Sequence, residues 1–228
     1  MKLYRYNGTN IAKEVSMETK KISKSVLKRL PGYLAYLKSL PETGPVHISA
    51  TALANALGMG EVQVRKDLAM VSDGGRPKIG YLREALIEDI EQFLGYDNVT
   101  DAVLIGAGKL GQALMAYQGF DDYGLNIMAA FDRSPKMDKT DEGKPVYNIT
   151  KLTSFCRTHK VLMGIITVPA ESAQEVADQL IAGGIKAIWN FAPVHLEVPQ
   201  GILVQTQNMA TSLAVLSVHL QAQIKEKK

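Results

Sequence analysis

The stretch Asp101-Ala-Val-Leu-Ile-Gly-Ala-Gly-Lys-Leu-Gly111 carries the reading of the fold. Ala102 to Ile105 form an unbroken apolar run between Asp101 and Gly106, the pattern of a strand buried on both faces of a parallel sheet. The run passes straight into Gly106-Ala107-Gly108-Lys109-Leu110-Gly111, a G-x-G-x-x-G spacing set between a strand and a helix beginning near Lys109. Gly106 allows the tight turn, Gly108 lets the backbone approach a pyrophosphate, and Gly111 lets helix and strand pack closely. The helix N-terminus adds free amide N–H groups and partial positive charge.

Downstream, NIMAAFD (126–132) reads as a second strand ending in Asp132, about 20 residues past the last glycine, where an acid hydrogen-bonds an adenosine ribose. A carboxylate there repels a 2′-phosphate and favours NAD(H) over NADP(H), while Arg133 beside it pulls the other way. LTSFCRTH (152–159) reads as a helix, VLMGIITV (161–168) as a strand, SAQEVADQLIAGG (172–184) as a helix closed by glycine, and IKAIWNF (185–191) as a strand. This alternation predicts an α/β fold, a Rossmann-type doubly wound parallel sheet with right-handed crossovers. Ligands sit beyond the strand C-termini in such sheets, which places Thr167, Val168, Pro169 and the Asn190-Phe191 turn beside the nucleotide. Turn chemistry alone would also select Pro and Asn there. The last segment has Met209, Leu213, Leu216, Leu220 and Ile224 on one helical stripe, to be buried on its own domain or on a partner subunit.

Upstream of the sheet the chain is basic. Residues 20–80 carry 10 Lys/Arg against 4 Asp/Glu, whereas residues 96–228 carry 12 against 13. The imbalance points to an anionic partner for the first part, or to a solvated basic face. KSVLKRLPGYLAYL (24–37) has helical apolar spacing and predicts a helix kinked or restarted at Pro31. Ser49 is placed to cap the helix ATALANAL, which ends at Gly58. A second helix, EVQVRKDLAMV (61–71), buries Val64, Leu68 and Val71 and turns Gln63, Arg65, Lys66 and Asp67 elsewhere. SDGGRPKIGY (72–81) then has the composition of a hairpin tip with Arg76 and Lys78 near its apex. This is a winged-helix pattern, and the candidate contacts to double-stranded DNA are Ser49, Gln63, Arg65, Lys66, Arg76 and Lys78.

With 228 residues, of which 46% are hydrophobic, the chain suits two modest domains better than one large one. The expected division is an arm or leader over 1–20, a winged-helix domain over 21–95, a dinucleotide domain over 96–205 and a terminal helix over 206–228. A single cysteine, Cys156, excludes an internal disulfide. No apolar run reaches the roughly 20 residues needed to span a bilayer, so no membrane partner and a cytoplasmic location are expected. The competing class is an NAD-dependent oxidoreductase, since the fold hosts both. His47, His159, His195 and His219 are scattered and form no catalytic constellation. A CoA-binding module shares the glycine turn; Asp132 and the basic N-terminal module count against it.

The order winged helix, GAGKLG, FD, ITVPA, NFAP and terminal helix resembles the Rex family of redox-sensing transcriptional repressors from about Ile22 onward. The matching stretches include KRLPGYLAYL (28–37), VRKD (64–67), DAVLIGAGKLG (101–111), AFD (130–132), ITVPAESAQ (166–174), GGIKAIWNFAP (183–193) and LEVP (196–199). The resemblance implies a homodimer with each terminal helix swapped onto the partner. It implies an inverted-repeat operator released when NADH binds, with NAD+ competing and permitting binding, so that transcription follows the NADH/NAD+ ratio. The chain departs from the family at Leu68–Ser72, at Lys78 in a glycine position of the wing, and in the loop RSPKMDKTDEGKPV after Asp132. It departs also at Ala210, where the family has an acid that partners the switch arginine matching Arg29. By the resemblance, Arg29 lacks that partner here.

Overall fold

The computed structural model describes residues 23–226, and the arm or leader expected over 1–20 lies outside that range. The chain divides into two units between Leu94 and Gly95.

The first unit begins with α1 (Lys24–Ser39), capped by Ser23, whose Oγ accepts from the Val26 N–H at 3.4 Å. The expected kink or restart at Pro31 is replaced by a single helix running through the proline. Proline costs one backbone hydrogen bond, but Val26, Leu30, Tyr33, Leu34 and Leu37 form a buried face on both sides of it and keep the helix in one piece. The strand β1 (His47–Ile48) leads to α2 (Ala50–Leu57), where Ser49 Oγ accepts from the Ala52 N–H at 3.0 Å and Gly58 closes the helix at φ 63°. After Gly60 comes α3 (Glu61–Val71), which buries Val64, Leu68 and also Asp67. Strand β2 (Tyr81–Leu82) pairs antiparallel with β1, His47 opposite Leu82 and Ile48 opposite Tyr81. The unit closes with α4 (Arg83–Leu94), unassigned by the sequence reading, which buries Leu86 and Ile90.

The second unit is built on six parallel strands: β3 (Thr100–Ile105), β4 (Leu125–Asp132), β5 (Val146–Asn148), β6 (Met163–Ile166), β7 (Ala187–Asn190) and β8 (Leu203–Thr206), in the order β5-β4-β3-β6-β7-β8. The helices α5 (Lys109–Ala116), α6 (Leu152–His159) and α7 (Ala170–Ala182) connect them. Alternate residues of β3 feed two cores. Val103 and Ile105 pack with Leu152, Cys156, Val176 and Leu180, while Ala102 and Leu104 pack with Met115, Ile127 and Ile165. This is why β3 is apolar without alternation. The edge strands β5 and β8 follow the irregular segments 133–145 and 191–202; β5 buries only Val146 fully, and three of the four β8 residues are exposed.

The terminal helix is α8 (Met209–Glu226). Its expected stripe, Met209, Leu213, Leu216, Leu220 and Ile224, is between 53% and 66% exposed, and Val215 and Val218 on other faces are exposed as well. The stripe is therefore not covered by its own domain. Among the described residues no helix is long and apolar enough to cross a membrane.

Candidate dinucleotide cleft and nucleic-acid interface

From β3 the chain goes on to β4 and β5 on one side, and β6 starts the other half of the sheet on the other. Between the C-terminal ends of β3 and β6 lies the crevice of such a switch point. The Gly106 N–H donates to the Phe131 carbonyl at 2.8 Å, and Gly106 takes φ 103° with a Cβ position 3.0 Å from the Thr167 backbone. Thr167 Oγ1 lies 2.9 Å from the carbonyl oxygens of both Ile105 and Gly106, tying the two strand ends together. A side chain at Gly111 would overlap the Gly106 carbonyl oxygen.

Gly108 is different. Its φ of −73° suits any residue, and a Cβ there meets no protein atom within 4 Å. Neither backbone geometry nor packing accounts for a glycine at this point, and the open space above it is the kind a pyrophosphate fills. The same residue is the N-cap of α5 and supplies no side-chain cap, so the first-turn amides are available to an anion.

Two adjoining hollows share Gly108 and Asp132. One, of about 230 Å³, is lined also by Ala107, Lys109, Gln112, Ser134 and Lys136. The other, of about 210 Å³, is lined by Arg133, Ile149, Thr167, Val168 and Pro169. Asp132 joins them: Oδ2 accepts from the Ala107 N–H and Oδ1 from the Ser134 N–H, both at 2.9 Å. Open space at Gly108, uncapped amides and a carboxylate on the ribose side together fit a dinucleotide.

Some expected residues stand elsewhere. Arg133 lines the second hollow, but its guanidinium is held by Glu175 on α7 at 2.6 Å. Leu110 is exposed on α5 and lines neither hollow. Asn190 is fully buried, its amide donating to the carbonyls of Ala192 (3.1 Å) and Val194 (3.0 Å) and accepting from the Ala192 N–H (2.9 Å). It organises the turn after β7 and does not reach the cleft. Phe191 packs against Trp189, ring centroids 4.8 Å apart. Conversely, Gln112, Ser134 and Lys136 line the cleft although sequence reasoning passed over them; their only signal was proximity to the glycine turn and to Asp132.

In the first unit, Ser49, Arg65, Arg76 and Lys78 line one cleft of about 430 Å³ with Thr51 and Tyr81. The wing is closed by reciprocal backbone bonds between Arg76 and Gly80, both 2.9 Å. Lys78 sits at its tip with φ 65°, the conformation a glycine would favour. Arg65 pairs with Glu61 one turn back, and Lys66 is exposed on α3 outside the cleft.

One expectation is overturned here, and a partner the sequence reading did not foresee is found. Asp67 points inward, 4% exposed, instead of sharing the solvent side of α3. Arg29 lacks the acid expected at position 210 but is held by another: Nε donates to Asp67 Oδ2 at 2.7 Å and Nη2 to Oδ1 at 2.9 Å, while Tyr33 Oη donates to Oδ2 at 2.8 Å. The acid that holds Arg29 comes from α3 of the same unit, while Ala210 is exposed at the start of α8. The hydrogen bond to Asp67 holds the Arg29 guanidinium above its ordinary pKa. Burial, helped by Asp67, pushes the Tyr33 phenol up to about 12. Sequence reasoning missed this link because its members lie 38 and 34 positions apart.

The chain is 41% identical over 207 residues to the redox-sensing transcriptional repressor Rex of Porphyromonas gingivalis, covering 90% of this chain and 95% of that one. The chain belongs to the Rex family of redox-sensing transcriptional repressors. It is a regulator and not an enzyme. The Rex repressor of Treponema denticola is 40% identical, over 84% of this chain and 92% of its own. The crystal structure of RSP in complex with beta-NAD+ and operator DNA superposes with a TM-score of 0.82 at 33% identity, covering 90% of this chain and 95% of that one. RSP in complex with beta-NADH gives 0.80 at 32% identity, covering 91% and 99%. Two family models also match this Rex-family chain: "CoA binding domain" over residues 97–194 and "Putative DNA-binding protein N-terminus" over residues 21–69.

Proposed function

We propose that this Rex-family repressor acts in the cytoplasm as a homodimer that grips inverted-repeat operator DNA through α3 and the wing. It holds NAD(H) above Gly108 and leaves the operator when NADH is bound. The observation that carries the reading is the open space at Gly108, at the switch point of the sheet and beside uncapped amides. In this reading the pyrophosphate lies on the amides of Gly108, Lys109 and Leu110, Asp132 takes the adenosine ribose, and Thr167, Val168 and Pro169 wall the adenine. Arg65, Lys66, Arg76 and Lys78 meet the DNA, with Ser49 orienting α2 beside the backbone. The apolar faces of α8 are covered by the partner subunit. Release requires that NADH favour the arrangement whose two recognition helices do not span the half-sites. A hundredfold loss of operator affinity corresponds to about 2.7 kcal/mol of coupling.

The test is fluorescence anisotropy of an inverted-repeat duplex with the purified protein at fixed salt, titrated with NADH, NAD+, NADPH and CoA in turn. Release by NADH alone is expected. Operator binding indifferent to all four would separate DNA binding from redox sensing and sink the switch. Gly108→Val places atoms where the pyrophosphate lies, its Cβ meeting no protein atom within 4 Å, so NADH affinity falls at least about 100-fold while the unfolding temperature stays the same. Unchanged affinity would move the cofactor site. A second reading is favoured by the match of residues 97–194 to the CoA binding domain; saturable binding of CoA with none of NADH would select it.

A further inference from the structure

Gln63 occupies the third position of α3 and is exposed, yet its amide is not free. Asp67 and Tyr33 lock the neighbouring Arg29 guanidinium in place, leaving donor capacity on Nη1. With its amide turned oxygen-first, Gln63 accepts from Arg29 Nη1 at 2.9 Å, the oxygen lying also 3.0 Å from Nε, whose one hydrogen is shared with Asp67. The opposite orientation sets –NH2 donors against guanidinium donors, so the oxygen-first one is stable. The side chain that reaches the edge of α3 therefore presents its –NH2 outward with the carbonyl oxygen already in use.

This limits what Gln63 can read. A free glutamine recognises adenine with both halves of its amide, donating to N7 and accepting from the N6 amino group. A glutamine that offers only donors loses the second bond and meets the adenine N6 donors head-on. Guanine presents adjacent acceptors, N7 and O6, in the same groove. We propose that Arg29, by holding the amide oxygen, makes Gln63 a donor-only reader, so that the base it faces in each half-site is guanine and not adenine. Arg29 is then a positioning residue and Gln63 the specificity-determining one. The inference rests on the reading of α3 as the helix that enters the major groove.

The experiment is selection from a library of duplexes with randomised inverted repeats, using the full chain in four forms: wild type, Gln63→Ala, Gln63→Glu and Arg29→Lys. Wild type should enrich guanine at one position of each half-site, and Gln63→Ala should flatten that position alone. Arg29→Lys keeps a charge opposite Asp67 but lacks the fork that grips the amide. It should shift the guanine-to-adenine ratio at that position by roughly tenfold toward adenine. Gln63→Glu gives Arg29 Nη1 one carboxylate oxygen and turns the other outward, so it presents only acceptors and should replace guanine by cytosine, whose N4 amino group donates. It keeps the test decisive if the lysine variant folds poorly. Adenine at the Gln63-dependent position in wild type, no position responding to Gln63→Ala, or guanine retained by Gln63→Glu would each overturn the proposal while leaving DNA binding intact. Failure of the wild type to enrich any sequence would remove the groove-reading role of α3, and the proposal with it.

Discussion

Lys78 pairs a useful charge with a costly backbone. A left-handed conformation costs a side-chain-bearing residue about 1–2 kcal/mol, and Lys78 holds φ 65° at the wing tip. Lys78→Gly should therefore stabilise the first unit by about 1 kcal/mol. It should also weaken operator binding and reduce the slope of log K against log salt by about 1, as the loss of one phosphate contact requires. Chemical denaturation and anisotropy across a salt series read the two effects separately; an unchanged slope would take the lysine off the DNA. Cys156 offers a contrasting case, buried beneath α7 and the sheet, where burial pushes its thiol from an ordinary 9.0 up to about 11. A pKa raised by folding adds stability below pH 9 that disappears as pH rises through about 11, because the unfolded chain releases the proton first. Stability curves of wild type and Cys156→Ala should converge over that window, the wild type losing more; parallel curves would mean the thiolate is tolerated inside. The same burial predicts that thiol reagents label the native protein slowly.

Helices α1 and α3 are joined by the charged link that Arg29 and Tyr33 make to Asp67. Asp67→Ala leaves the Arg29 guanidinium facing a gap, a loss of about 3 kcal/mol for a broken, largely buried pair. Hydrogen exchange should accelerate across α1 and α3 and stay unchanged in β3 and β6; unaltered protection in α1 and α3 would mean that the Asp67 link does not hold the two helices in place. That link marks the boundary of what the sequence makes visible. The glycine turn is legible because its spacing, the apolar run before it and Asp132 after it are local facts with geometric causes, and the four central strands of the parallel sheet follow. Asp67 sits in Val-Arg-Lys-Asp, a run that reads as solvent-facing, and only the tertiary approach of Arg29 and Tyr33 turns it inward. The short pairing of β1 with β2 and the edge strands β5 and β8 were missed because strands of two to four residues carry little periodicity. Asn190 was misjudged for a different reason: its place after a strand suggested a ligand contact, whereas its amide is consumed by the turn it shapes.

Helix α8 presents apolar side chains on more than one side, with Leu213, Val215, Leu216, Val218 and Leu220 all more than half exposed. Each such side chain gains about 1.5–3 kcal/mol on burial, enough in sum to drive association of two copies. The double substitution Leu213→Asp and Leu220→Asp should convert a dimer to a monomer in sedimentation velocity and abolish tight binding to a two-half-site duplex; a dimer that survives both would place the interface elsewhere. In the proposed dimer those faces join one subunit to the other. They also set a rule for abundance. Wherever the protein is scarce enough for its subunits to separate, the population able to occupy an operator rises with the square of the number of chains, so a halved gene dose leaves about a quarter of the repressor. The genes under its control would then answer to how much of the protein a cell inherits at division as well as to its metabolic state.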